Sequence, residues 1–391
     1  CVNLVGPRVV VFDVSGTIKL LSTLTINKPF VTIAGQTAPA PGITLYGNTV
    51  RVQAKEVLVQ HVSIRLGDKS GTRDAVEVIY LSDRDKATGE FLCNKEAIEN
   101  VVFDHVSISW AVDGSFDIQP LGCDDKIKNV SIVDSFIAEH LNKSVHGKGI
   151  HSFAALCAHG SRNIGYIRNL FANNVARNPR VDSNVTAHVI NNYMYNVGWH
   201  GLEVRNASIP GALPTTANFI NNAQGISATP YNGTAKLISV QTRKGYVKNS
   251  IYSSGNEPLG PLFVISKPGT FSASEQLITA LELFSQVPVL PLAGLSIMAA
   301  KDVRNHVIDN GGSRPGQRDL INSRQINDLE LNQGKVIDKP SESEVAYLQS
   351  TSSKPIKVAS FPSIKDPSVP DAIGWTGVDR LLHEYAVDVS K

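Results

Sequence analysis

Three carboxylates and a pair of arginines carry the chemistry that can be read directly from this chain. Asp113 and Asp117 flank Gly114 and Ser115 at the end of the segment ENVVFDHVSISWAVDGSFD. Extended at ~3.3 Å per residue they would stand roughly 13 Å apart, too far to share an ion. If Gly114 and Ser115 turn the chain, both converge on a hard cation such as Ca²⁺, which takes oxygen ligands at about 2.3–2.6 Å. Asp74, opening DAVEVI, joins them if the chain stacks on itself. A single surface Asp is most often a solvated turn residue; three gathered on one face form a metal site. Further along, Arg177 and Arg180 bracket Asn178 and Pro179. Pro179 fixes the local backbone, so the guanidiniums are presented at defined positions, and arginine grips carboxylates bidentately. The plainer alternative is an ion pair on the surface. Lys143, Lys148, His140, His146 and His151 lie in the long stretch before this motif and add charge, although isolated histidines are more often structural or solvated.

Positioning these groups is the task of a repeat. VLVQHVSIR reappears as VVFDHVSIS, and more loosely as VSIVDSFIA, IGYIRNLFA, AHVINNYMY and ANFINNAQG. Alternating apolar and polar residues mark each as a half-buried strand. Aligned on their polar pairs, Gln60-His61, Asp104-His105, Asp134-Ser135, Arg168-Asn169, Asn191-Asn192 and Asn221-Asn222 fall at steps of 44, 30, 34, 23 and 30 residues. The first step also contains DAVEVIY and reads as two turns. Repeats of this length, rich in Val, Ile and Asn and poor in helix signals, predict an all-β solenoid of parallel strands. The loops at residues 83–96 and 139–152 are too long for a β-sandwich and are expected to project from one face and build a binding site.

The bulk numbers fit. At 391 residues, 42% hydrophobic and 18% charged, the chain can bury a large core. A net charge of +2 and the lack of a Lys/Arg run argue against nucleic acid as a partner. The most apolar stretch, around 287–300, is broken by prolines and a glycine and does not suit a membrane span. Cys1, Cys93, Cys123 and Cys157 lack CxxC spacing and leave two disulfides, one, or none open. The chain begins abruptly in front of the strand predicted at residues 8–13; a capping segment upstream is expected, which leaves a removed targeting peptide open. Five N-x-S/T acceptors, at Asn129, Asn142, Asn184, Asn206 and Asn232, are compatible with secretion.

After residue 254 the texture changes. Ser272 and Glu275 form a capping box ahead of Leu277, Leu281 and Phe284 at helical spacing. A second helix is predicted from Asp319 to Leu329, and a third carries Val378, Leu381, Leu382 and Tyr385. The expected division is a β-helix over 1–260 and a tail over 261–391 whose short helices fold back along the solenoid.

With these residues in view, FDVSGTI, TIAGQTAP, IRLGD, DAVEV, VVFDHVSISWAVD and ARNPR together resemble polysaccharide lyase family 1, the pectate lyases. INNAQ and VIDNGGSRPGQRDLINSRQI extend the similarity over nearly the whole chain. The resemblance implies a right-handed parallel β-helix, secreted and monomeric, that cleaves polygalacturonate by β-elimination with Ca²⁺. It places Asp74, Asp113 and Asp117 on the family's calcium positions and Arg177 on the arginine that takes the C5 proton. It places Lys148, or Lys143, on the lysine that binds the substrate carboxylate. Arginine ordinarily stays protonated, so such a base needs neighbouring positive charge and partial dehydration.

Two departures stand out. Where many members carry Asp-x-Asp, this chain has Thr72-Arg73-Asp74, one carboxylate fewer. Where many carry a further arginine two residues past Arg180, it has Asp182, leaving Arg180 to bind substrate or the site to take a different uronide. Retention of the three Asp residues argues against a lyase for methyl esters, and the Arg177–Arg180 motif argues against a hydrolase that uses paired carboxylates. The reading from another class is a catalytically silent β-helix that binds polysaccharide.

Overall fold

The structure, a computed structural model, describes residues 1–69, 71–158, 160–206, 215–231, 236–242, 250–259, 263–266 and 284–351. Among these residues the strands form three parallel sheets of ten, eight and nine strands, and the strand pairings join one coil to the next. Each coil visits the sheets in turn. In one, Ile98–Asp104 lies in the first sheet, Ser107–Ser109 in the second and Phe116–Gln119 in the third. This is the right-handed parallel β-helix expected from the sequence. Inward residues stack into columns: Val57, Val101, Val130, Ile164, Ala187 and Ala217 follow one another up the first sheet, all at most 2% exposed. Small and β-branched side chains fill these columns because every rung repeats the same inward position at the spacing between strands.

The bend from first to second sheet needs a left-handed residue in each coil. His61, His105, Asp134, Arg168, Asn191 and Asn221 occupy it with φ between 46° and 56°. Beside it runs an Asn ladder: Asn169, Asn192, Asn222 and Asn256 each turn a side-chain oxygen to the backbone N–H of the coil before, at 2.9–3.1 Å. Such bonds satisfy buried polar groups that water cannot reach.

Three expectations about the repeat need correction. Gln60 pairs directly with Asp104, so the 44-residue step is one coil and not two. DAVEVIY supplies that coil's third-sheet strand, Val76–Ile79, and the extra length is a surface excursion with an antiparallel bridge from Arg84 to Phe91. Next, Asp104 pairs with Val133, which sets Asp134 beside His105 and makes the following step 29 residues. The shared Asp letter misled the alignment; the inward Phe103 and Ile132, which are paired, fix the true register. Finally, the excursion leaves from the third sheet, whereas the loop at 139–152 leaves from the second, so the two project from different corners. Cys93 and Cys123 are disulfide-bonded across the excursion, while Cys1 and Cys157 are free. Of the glycosylation acceptors, Asn142 and Asn184 are buried and Asn129 is exposed.

Strands Phe263–Ser266 and Phe284–Ser285 carry the third and first sheets past residue 260. Phe284, expected on a helix, thus pairs with Ile251 in a strand. The rest of that helix and the one expected around Leu381 lie outside the described residues. The helix predicted from Asp319 is present as Leu320–Glu330 (α2), with Asp319 accepting the Asn322 N–H at its start. Helices Ala300–Asn310 (α1) and Glu342–Ser350 (α3) were not anticipated. The signal for α3 was present, since Ser341 and Glu344 form a capping box. Val303, Val307, Ile326 and Leu329 of α1 and α2 pack on Phe136, Leu170 and Tyr195 of the second sheet. No helix among the described residues is long and apolar enough to cross a membrane.

Candidate active site

The corner between the second and third sheets gathers the predicted groups. Arg73 O accepts both the Val112 and Asp113 N–H, at 2.9 and 3.0 Å, and so aligns the two bends carrying Asp74 and Asp113. Gly114 then donates its N–H to Asp74 Oδ1 at 2.8 Å. A side chain at 114 would not fit, because a Cβ there would sit 2.3 Å from Asp117 Oδ1. Gly114 therefore allows the turn that brings the acids together, as the sequence suggested. Asp117 lies on the strand Phe116–Gln119, pointing away from the core yet only 4% exposed.

Burial and like charge dominate the electrostatics. Burial first, and then the charge of Asp117, push the Asp74 carboxyl well above the usual range, against the Gly114 hydrogen bond. Asp117 is pushed up by burial and by Asp113, while the charge of Arg177 pulls the other way. Asp117 Oδ1 is buried without a hydrogen-bond partner. Packing carboxylates so closely is unfavourable by itself, and a hard cation would offset it. The donor set of Asp74, Asp113 and Asp117 is all oxygen, the ligand type Ca²⁺ takes, although the three do not bring their oxygens within 4.8 Å of one another; at this corner the group that does so is Asp113, His146 and His151.

Arg177 comes from two coils further on. Its carbonyl accepts the Ala155 N–H at 2.8 Å, and its backbone is left-handed at φ 59°, an unfavourable conformation of the kind that collects at functional sites. The guanidinium lies over Phe153, 4.3 Å from the ring centroid. Arg180 points outward from the third sheet but is 7% exposed and donates to Asp182. Lys148 is exposed in the loop beside Asp113, whereas Lys143 sits where its N–H meets Asp338 Oδ1 of the tail at 3.0 Å. His140 is fully enclosed, and burial pushes its imidazole down to about 3. The fold thus brings Asp74, Asp113, Asp117 and Arg177 to one corner, with Lys148 in the adjoining loop and Arg180 two rungs beyond Asp117 in the third sheet.

The sequence reading had His146 and His151 only as charge in the neighbouring loop, and it missed Phe153 and Glu77. His146 Nε2 lies 3.2 Å from Asp113 Oδ2 and His151 Nε2 lies 3.6 Å from Asp113 Oδ1, both rings buried. Phe153, which supports Arg177, carried no sequence signal beyond its ring. Glu77 pairs with Asp117 one rung below and bonds Arg51 at 2.5 Å. Aligning DAVEVI with GSFDIQ would have found it, since that register sets Glu77 over Asp117.

No family model matches the chain. An Aspergillus flavus protein described as "probable pectate lyase C" is 31% identical over 271 residues, covering 68% of this chain and 53% of the relative. One from Aspergillus fumigatus with the same description is 33% identical over 248 residues, covering 63% and 50%. The chain spans about half the length of these curated relatives. Among solved structures, pectate lyase II from Xanthomonas campestris aligns over 78% of this chain and 81% of its own at 15% identity and a TM-score of 0.40. A pectate lyase bound to a hexasaccharide aligns over 76% and 70%, at 15% identity and a TM-score of 0.43.

Proposed function

Because this chain belongs to the pectate lyase family, polysaccharide lyase family 1, we propose that it cleaves α-1,4-linked polygalacturonate by β-elimination, with Ca²⁺ held at Asp74, Asp113 and Asp117. One observation carries the reading: these acids share a corner with Arg177, whose charge acts on Asp117. Arg177, steadied by Phe153, removes the C5 proton of a galacturonate residue. The C–H electrons become the C4–C5 double bond, the C4–O4 bond breaks, and O4 gains a proton from water as the new chain end. Bound calcium supplies charge that stabilises the enolate-like carboxylate as it develops. Lys148 holds a substrate carboxylate from the loop above. Arg180, two rungs beyond Asp117 and paired with Asp182, contributes its charge instead of a direct grip. The Cys93–Cys123 disulfide supports an extracellular location, where such bonds persist.

The Arg180–Asp182 pair also favours a second reading, a silent β-helix that binds acidic polysaccharide, because it neutralises an arginine that substrate would otherwise meet. Ultraviolet absorbance of unsaturated product, from polygalacturonate with calcium and then with chelator, separates them. A lyase gives a chelator-sensitive rise that falls at least ~10²-fold in Arg177→Ala with the far-UV spectrum unchanged. New reducing ends without absorbance would mean hydrolysis, and binding without either would mean the silent form.

A further inference from the structure

Asp113 is where the oxygen cluster meets nitrogen. His151 Nδ1 lies 3.0 Å from Gly149 O. A carbonyl can only accept, so this nitrogen carries the proton, and in the neutral ring the lone pair is on Nε2, 3.6 Å from Asp113 Oδ1. His146 is set the other way. The Lys148 N–H donates to its Nδ1 at 3.1 Å, so its proton sits on Nε2 and is donated to Asp113 Oδ2. The two rings stack with centroids 3.6 Å apart and a tilt of 35°, yet they hold opposite tautomers. With opposite tautomers only one ring has an unprotonated nitrogen near Asp113: His151 is poised as a ligand, and His146 holds the carboxylate.

A ligating histidine whose other N–H rests on a backbone carbonyl, beside a carboxylate that is itself hydrogen-bonded, is how proteins orient metal ligands. Nitrogen and oxygen ligands bound at about 2.0–2.2 Å stand roughly 3–3.5 Å apart around one ion, close to the 3.6 Å between His151 Nε2 and Asp113 Oδ1. The ligand atoms of Asp113, His146 and His151 all lie within 4.8 Å of one another. Imidazole is a poor partner for calcium and a good one for borderline cations such as Zn²⁺ or Ni²⁺.

We propose that His151 adds an imidazole nitrogen to the carboxylate cluster at Asp113, so that this corner binds a borderline divalent cation such as Zn²⁺ in competition with Ca²⁺. The inference rests on the reading of Asp74, Asp113 and Asp117 as a cation site. The test is calorimetric titration of the metal-free chain with Zn²⁺ and, separately, with Ca²⁺. His151→Phe keeps the ring packed without its lone pair, and His151→Ala guards against an effect of bulk. Expected are Zn²⁺ binding that Ca²⁺ displaces, weakened roughly tenfold or more in both variants, and Ca²⁺ affinity held within about threefold. No Zn²⁺ binding by the parent chain, unchanged Zn²⁺ affinity in the variants, or an equal loss for both ions would overturn the proposal. Zn²⁺ binding that depends on His151, in a chain that takes up no Ca²⁺, would support the nitrogen ligand and sink the calcium reading instead.

Discussion

The Arg177 guanidinium lies over the aromatic ring of Phe153 from the preceding coil, 4.3 Å from its centroid. An aromatic face holds a cation with ~0.5–2 kcal/mol while leaving its hydrogen-bonding edge free. Replacing Phe153 by Leu should therefore lower kcat about twofold to thirtyfold and change KM little, measured on polygalacturonate. An unaltered kcat would remove Phe153 from the account of how Arg177 is positioned.

Gly114 permits the turn between the acids. Gly114→Ala would push a methyl group into the Asp117 carboxylate, 2.3 Å from its Oδ1. The expected outcome is a loss of calcium affinity by calorimetry and about 1–3 kcal/mol of stability in denaturant unfolding.

Arg65 is fully buried and donates to Asp319 at 2.8 and 3.1 Å, tying the second sheet to the start of α2. Asp319→Ala leaves that guanidinium without its carboxylate and removes the cap of α2. A destabilisation of about 3–5 kcal/mol is expected. The double variant Arg65→Met, Asp319→Leu should recover much of the loss, because no buried charge is then stranded.

Asp74 and Asp117 titrate above their unfolded values, first through burial and then through neighbouring charge. Between the ordinary carboxylate range and alkaline pH, the folded chain holds more protons than the unfolded one. Metal-free stability should therefore fall as pH rises through neutrality, and calcium should restore more of it at pH 8 than at pH 5. Asp134 has the opposite sign. Burial pushes it up, but His306 and Arg168 outweigh that and hold it down to about 2, so its contribution is lost as pH falls below about 4. Melting temperatures across pH, with and without calcium, check both limbs.

Much of this was legible because a β-helix writes its period into the chain. Inward positions repeat with every coil, so Val101, Val130 and Ile164 announced their strands, and Asn169, Asn192 and Asn222 announced their ladder. The Asp113–Asp117 spacing and the Pro179 motif likewise singled out side chains that the fold brings to one corner. Register was less secure, since identical letters at Asp104 and Asp134 occupy different places in their coils. The short helix α1 was missed because its stability comes mainly from docking on the sheet and only weakly from local sequence, whereas the capping box of α3 was there to be read.

What the amino-acid order determined, then, was the strand repeat and which side chains have the right chemistry. What only the folded chain decided was which neighbours from other coils stand beside them: Phe153 under Arg177, Glu77 below Asp117, and His146 and His151 around Asp113. The reason is physical. Period and residue type are local properties, whereas these contacts depend on how loops of unequal length close each coil, and loop closure leaves no periodic trace in the sequence.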